Sequence, residues 1–189
     1  MKKIILVVVF VMCHLVSVFG QKIIHDRIDN DGKRLIVTDE FVCRNLTDQV
    51  VLSCALYYSE FQEISSFNLI TNISADHPLE IKEGSRMLIK LFDDSVIELT
   101  TFSNSETHRR KVYAGYIITY IHTMDCFFEI TKEQLHNIIT KGVKKIRIET
   151  FPDYYDNVFK KDKLGKQLDK RLQILEQAIS SPKEFDDGF

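Results

Sequence analysis

Tryptophan is absent from the sequence, and 189 residues contain only 7 glycines and 3 prolines. So few breakers exclude collagen-like and low-complexity architectures, and no Gly/Ser/Pro-rich linker marks a place where the chain could divide. The four cysteines, Cys13, Cys43, Cys54 and Cys126, are too few and too unevenly spaced for a disulfide framework. Charge of one sign is lacking too: 25 Lys+Arg stand against 27 Asp+Glu, a formal net charge of -2, which gives no global pull toward nucleic acid. No His-Glu-x-x-His, Cys-x-x-Cys, Gly-x-Ser-x-Gly or glycine-rich phosphate loop occurs, which argues against the familiar hydrolases and nucleotide binders. What is present, 44% hydrophobic residues with 13 Phe and 7 Tyr, supplies bulk for one globular core.

The first segment reads as an address. Met1-Lys2-Lys3 is cationic, residues 4–11 are wholly apolar, and Val18 and Gly20 occupy the minus-three and minus-one positions of a cleavage site before Gln21. The apolar stretch of residues 4–19 falls short of the roughly 20 residues a spanning helix needs. Residues 1–20 are therefore expected to be a signal peptide, residues 21–181 a single domain, and residues 182–189 a frayed C-terminal tail. Export to the periplasm, cell surface or extracellular space makes nucleic acid or a nucleotide cofactor an unsuitable partner and gives thiols an oxidising compartment. No cofactor is expected, and the mature chain should not span a membrane.

Along the mature chain the early part is strand-like. Asp29-Asn30-Asp31-Gly32 between residues 22–28 and 34–42 is a hairpin signal, because glycine tolerates the positive φ of a tight turn. Residues 50–58 and 66–73 alternate with period two, residues 87–92 and 96–102 flank the turn Asp93-Asp94-Ser95, and residues 112–130 are long, β-branched and aromatic. Then Thr131-Lys132-Glu133-Gln134 predicts a capping box, with Gly142 ending that helix. Residues 143–150 alternate again. Leu164, Leu168, Leu172, Leu175 and Ile179 predict a last helix over residues 162–179, with Gly165 a weakness in its first turn. Strands first and helices last predict an α+β fold, an antiparallel β-sheet with two C-terminal helices packed on one face.

Several stretches resemble those of small uncharacterised exported proteins of Bacteroidetes. They are residues 31–38, 87–91 with 96–99, the block 130–150 ending Lys145-Ile146-Arg147-Ile148-Glu149-Thr150, and residues 159–166. These are framework patterns, and Asp93-Asp94 stands where the resemblance leads one to expect Asp-Gly. The resemblance implies export and no particular activity. Asp94-Ser95-Val96 is also similar to the O-glycosylation pattern of that phylum, which makes Ser95 a candidate modification site.

The chemistry-bearing residues give a short set of candidates. If residues 45–49 turn the chain about the Asp48–Gln49 bond, Cys43 faces Cys54 closely enough for a disulfide; the alternative is two small buried hydrophobes. Cys126 and His122 share a strand face, but four residues of strand span about 13 Å, which excludes a dyad. Asp29-Asn30-Asp31-Gly32 fails as part of a calcium loop, because Arg27 stands two positions before Asp29 and Thr38 replaces Glu at the twelfth position. Lys160, Lys161, Lys163, Lys166, Lys170 and Arg171 gather at the start of the last helix, beside the aromatic segment of Phe151, Tyr154, Tyr155 and Phe159. The expected function is a non-catalytic exported binding domain whose partner, a protein or an anionic envelope component, meets Tyr154, Tyr155, Phe159, Lys160, Lys161 and Lys163. The alternative is a small periplasmic enzyme of hydrolase type, in which several of His25, His77, His108 and His122 converge with carboxylates.

Overall fold

The computed structural model describes residues 22–45, 50–114, 116–151 and 153–181. The expected signal peptide, the turn at residues 46–49 and the C-terminal tail lie outside these. Thirteen strands and two helices follow in chain order: β1 (Ile23–Ile28), β2 (Arg34–Thr38), β3 (Phe41–Asn45), β4 (Val50–Phe61), β5 (Ile64–Ala75), β6 (Glu80–Ile81), β7 (Arg86–Leu91), β8 (Val96–Thr100), β9 (Ser105–Glu106), β10 (His108–Ala114), β11 (Ile117–Ile130), α1 (Lys132–Lys141), β12 (Val143–Glu149), β13 (Tyr154–Val158) and α2 (Leu164–Ser180). Strands hold 57% of these residues and helices 18%.

All strand pairs are antiparallel. The large, curled sheet has the order β1-β2-β4-β5-β11-β10, with β3 also on β4; a second sheet runs β13-β12-β7-β8, and β6 pairs with β9. The expected arrangement of one sheet followed by two C-terminal helices is therefore corrected. Only α2 is C-terminal. Between the helices, β12 returns to pair with β7 across about 50 residues of chain, with β13 on its other edge. Local patterning carries no information about such distant partners, and residues 154–158 of the aromatic segment form the edge strand β13. Arg147 holds it there, donating from Nε and Nη2 to Asp156 at 2.6 and 2.8 Å.

A second correction concerns residues 34–42, expected as one strand. The run breaks at Asp39–Glu40 into β2 and β3, which lie one after the other along the same edge of β4. Thr38 Oγ1 accepts the Leu56 amide at 3.0 Å across the gap. Arg171, only 3% exposed, donates to the Asp39 carbonyl at 2.9 Å and to its carboxylate at 3.0 Å. The bend is thus tied to α2.

Alternation decides which side is buried. Leu52, Cys54, Leu56 and Tyr58 of β4, Leu69, Thr71 and Ile73 of β5, and Met124, Cys126 and Phe128 of β11 share the inner face. They form one cluster with Met87, Ile89 and Leu91 of β7, Val143, Ile146 and Ile148 of β12, and the stripes Leu135/Ile138 and Leu164/Leu168/Leu175 of the helices. The capping box at Thr131 forms as the sequence predicts: Gln134 N donates to Thr131 Oγ1 and Thr131 N to Gln134 Oε1. Gly165 has a packing reason. A Cβ there would stand 2.9 Å from the Ile138 carbonyl oxygen and 2.6 Å from Asp162 Oδ2, so glycine lets α2 approach α1.

Candidate functional site

The outer face of the large sheet is not covered by a second layer. Where β4, β5 and β11 run side by side, their register sets Ser59 against Ser66, Tyr57 against Asn68, and Asn68 against Glu129. Period two then places Tyr57, Ser59, Ser66, Asn68, Phe127 and Glu129 on the same outer surface. The bridge between Thr101 and Phe128 sets the segment after β8 beside β11, along the edge that β10 leaves beyond Thr123. Thr101 shapes that segment by donating from Oγ1 to the Ser103 carbonyl at 3.1 Å. Its neighbour Phe102 leans on Phe127, with ring centroids 6.4 Å apart and planes at 41°. Lys33, carried by the β1–β2 turn, completes the rim. The result is a groove of about 670 Å³, within the range of small-molecule sites.

One side chain in the groove stands apart. Asn68 is 7% exposed and its amide makes no hydrogen bond to any described residue; since no buried polar side-chain atom among these residues lacks a partner, the amide ends reach the solvent of the groove. By contrast the Ser59 and Ser66 hydroxyls satisfy each other at 2.8 Å. The groove therefore offers amide donors and an acceptor at its floor, aromatic walls from Phe102, Phe127 and Tyr57, and one charge of each sign from Lys33 and Glu129.

The residues singled out from sequence are dispersed. Phe159 is 3% exposed and belongs to the core, so it does not contribute to a partner surface. Tyr154 is exposed, with the Arg147 guanidinium 4.1 Å from its ring centroid. Tyr155 is half-buried and bonds at 2.8 Å to Nε2 of His77, whose Nδ1 meets Asp76 at 2.5 Å. Burial raises the Tyr155 pKa, which keeps the phenol a donor. Lys160, Lys161 and Lys163 are exposed. Tyr155 lies in β13, while Lys161 lies three residues beyond its end at Val158, and no hydrogen bond joins the two.

The lysines do form a surface of their own. Lys161, Lys163, Lys166 and Lys170 surround a groove of about 440 Å³ with Phe41 and the exposed Val42. None of these lysines has an ion-pair partner among the described residues. The Gly165 amide at the helix start is already engaged, donating to Asp162 Oδ1 at 2.9 Å, and the same oxygen accepts from Val143 N of β12 at 3.1 Å.

Cys43 and Cys54 meet, though not in the register expected. Phe41 faces Cys54, and an irregularity between Val42 and Arg44 shifts Cys43 toward it, so that the buried Cys43 thiol donates to Cys54 Sγ at 2.9 Å. Burial drives the Cys54 pKa upward and that of Cys126 to about 11, so both are protonated at neutral pH. Ser95 is exposed in the β7–β8 turn, its hydroxyl donating to Asp93 at 2.5 Å. His25 on β1 and His108 on β10 lie at opposite edges of the large sheet, and His108 and His122 point to opposite faces. Among the described residues, no group of three or more His, Cys, Asp or Glu is placed to hold a metal ion, and no helix is long and apolar enough to cross a membrane.

Sequence reasoning missed the outer groove, because alternating Ser and Asn read as an ordinary wet face. It also missed Arg109-Arg110-Lys111, although residues 107–124 contain no Asp or Glu, a signal open to inspection. No protein-family model, no curated protein and no solved structure matches the chain.

Proposed function

We propose that the protein is an exported, non-catalytic binding domain that holds a neutral, hydroxyl-rich ligand such as a saccharide in the outer groove. The observation that carries this reading is the Asn68 amide, free of hydrogen bonds to the described residues and open to solvent, in a 670 Å³ groove walled by Phe102 and Phe127. An amide presents a donor and an acceptor side by side, which suits vicinal hydroxyls. Phe102 and Phe127 offer apolar surface to the C–H face of a sugar ring, and Ser103 and Glu129 stand at the rim. Export follows from residues 1–20 and accords with the resemblance to exported proteins of Bacteroidetes. The exposed Lys161 and Lys163 beside the second groove suit an acidic envelope component.

Calorimetric titration with a panel of neutral mono- and disaccharides tests the reading. Wild-type protein should bind at least one of them, and Asn68→Ala should weaken that binding about tenfold or more, since a site built to pair a hydroxyl is left with an unpaired ligand group. Lys161→Gln with Lys163→Gln should leave saccharide affinity unchanged while weakening capture of dextran sulfate. Absence of saccharide binding, or equal affinity for wild type and Asn68→Ala, would overturn the assignment of the groove.

A further inference from the structure

Beyond the groove, at the far end of the same strand, β11 outruns the sheet. Its pairing with β5 ends at His122, opposite Ala75. Ile117 to Ile121 pair with β10 alone, in a continuous register from Arg110↔Ile121 to Ala114↔Ile117. Five residues of strand make a two-stranded arm about 17 Å long.

The composition of this arm is sorted along its length. Arg109, Arg110 and Lys111 form a collar where it leaves the body, and residues 112–121 carry no charge at all. The three cations have no ion-pair partner among the described residues. Three tyrosines project from the uncharged part: Tyr113 is 66% exposed, Tyr120 45%, and Tyr116 at the turn is fully exposed. Opposed residues of an antiparallel pair share a face, so Arg109, Lys111, Tyr113 and Tyr120 lie on one side. There the Arg109 guanidinium sits 3.7 Å from the Tyr120 ring centroid and the Lys111 ammonium 5.2 Å from that of Tyr113.

We infer that the arm docks the protein onto an anionic lipid bilayer, with its tyrosines at the level of the headgroups and Arg109, Arg110 and Lys111 against lipid phosphates. Three physical points favour this occupant. Tyrosine, amphipathic and rigid, concentrates at membrane interfaces, and a basic cluster beside it is drawn to the negative surface of anionic lipid. Stacking of nucleobases is hindered because cations already cover one face of the Tyr113 and Tyr120 rings. Edge-to-edge pairing of β10 with a second copy would set like charges of the collar close together.

The test is binding of the full chain to vesicles of phosphatidylcholine containing phosphatidylglycerol, against phosphatidylcholine alone. Tyr116→Cys carries an environment-sensitive fluorophore, so the signal reports the arm and is blind to residues 1–20. The fluorophore should shift to the blue on the anionic vesicles only. The shift should fade as ionic strength rises from about 0.1 M toward about 1 M. Replacing Arg109, Arg110 and Lys111 by Gln should lower partitioning about fivefold per cation, on the order of a hundredfold in all. Tyr113→Ser with Tyr120→Ser should lower it while leaving the salt dependence intact. Circular dichroism should stay unchanged throughout, since the substituted side chains are exposed. The inference fails if the fluorophore does not respond to anionic vesicles, if it responds equally to neutral ones, or if it responds only to single-stranded DNA or dextran sulfate. It fails equally if Lys161→Gln with Lys163→Gln reduces partitioning as much as the arm variants do.

Discussion

β11 lives in two environments. From His122 to Ile130 it lies between neighbours, with Met124, Cys126 and Phe128 sealed beneath it and Phe127 and Glu129 lining a groove above. From Ile117 to Ile121 it has one neighbour, and Tyr120 is exposed. Both halves are β-branched and aromatic in sequence, so strand propensity does not distinguish them. Pairing and cover do. A half with cover has a structural duty and tolerates little change, whereas the other half is free to carry recognition chemistry.

The sharpest way to break that comparison is to truncate one aromatic in the covered half and one at the turn that ends the arm. Phe128→Ala removes a fully buried ring and is expected to cost about 3–5 kcal/mol in urea denaturation. Tyr116→Ala should change stability by no more than about 0.5 kcal/mol. Equal losses would mean that the arm packs against something.

A smaller effect, of opposite sign, is expected at the covered end. The β4–β5 hairpin turns through Gln62 and Glu63, with φ of 50° and 68°, between the paired residues Phe61 and Ile64. Left-handed backbone costs a residue with a Cβ roughly 1–2 kcal/mol, and Asn-Gly is the preferred pair for such a turn. Gln62→Asn with Glu63→Gly should therefore raise stability by about 1 kcal/mol, read as a higher denaturation midpoint with an unchanged slope.

The smallest effect is electrostatic and separates the two regions by pH. Arg147 first, and Lys145 after it, hold the Asp156 carboxyl down to about 2. A depressed folded-state value stabilises the protein above the ordinary carboxylate range, and this contribution is lost as pH falls from about 4 toward 2. Protection factors of the β13 amides, with the intrinsic exchange rate divided out, should fall across that window, and Asp156→Asn should abolish the change. The arm contains no carboxylate, so the same window should leave its amides unaffected.

The parts of the fold that the sequence made legible are those written locally. Asp31-Gly32 announces the β1–β2 hairpin, and Thr131 with Gln134 announces α1. The hairpin of β4 and β5 was hidden because Gln62-Glu63 is no turn signature, although the strands it joins alternate clearly. The second sheet was hidden for a different reason. β12 finds β7 only in three dimensions, and β13 has no alternation to declare it, its burial being half-exposed from Tyr155 to Asn157. The groove shares that cause: Tyr57, Asn68 and Glu129 meet through register across three strands, and Asn68 shows its importance only once its missing partner is seen. Phe159 was misplaced on the surface because a lone aromatic after a polar run does not tell which way it faces.

Asp162 gives the chain a latch. One carboxylate oxygen receives amide hydrogens from Val143, which opens β12, and from Gly165, which opens α2. The 20-odd residues between them, the β12–β13 hairpin included, are thereby closed into a ring by a single atom. Drawing α2 away from the sheets breaks the contact of Asp162 with the first residue of β12 as well, so the last helix and the small sheet are coupled at that atom.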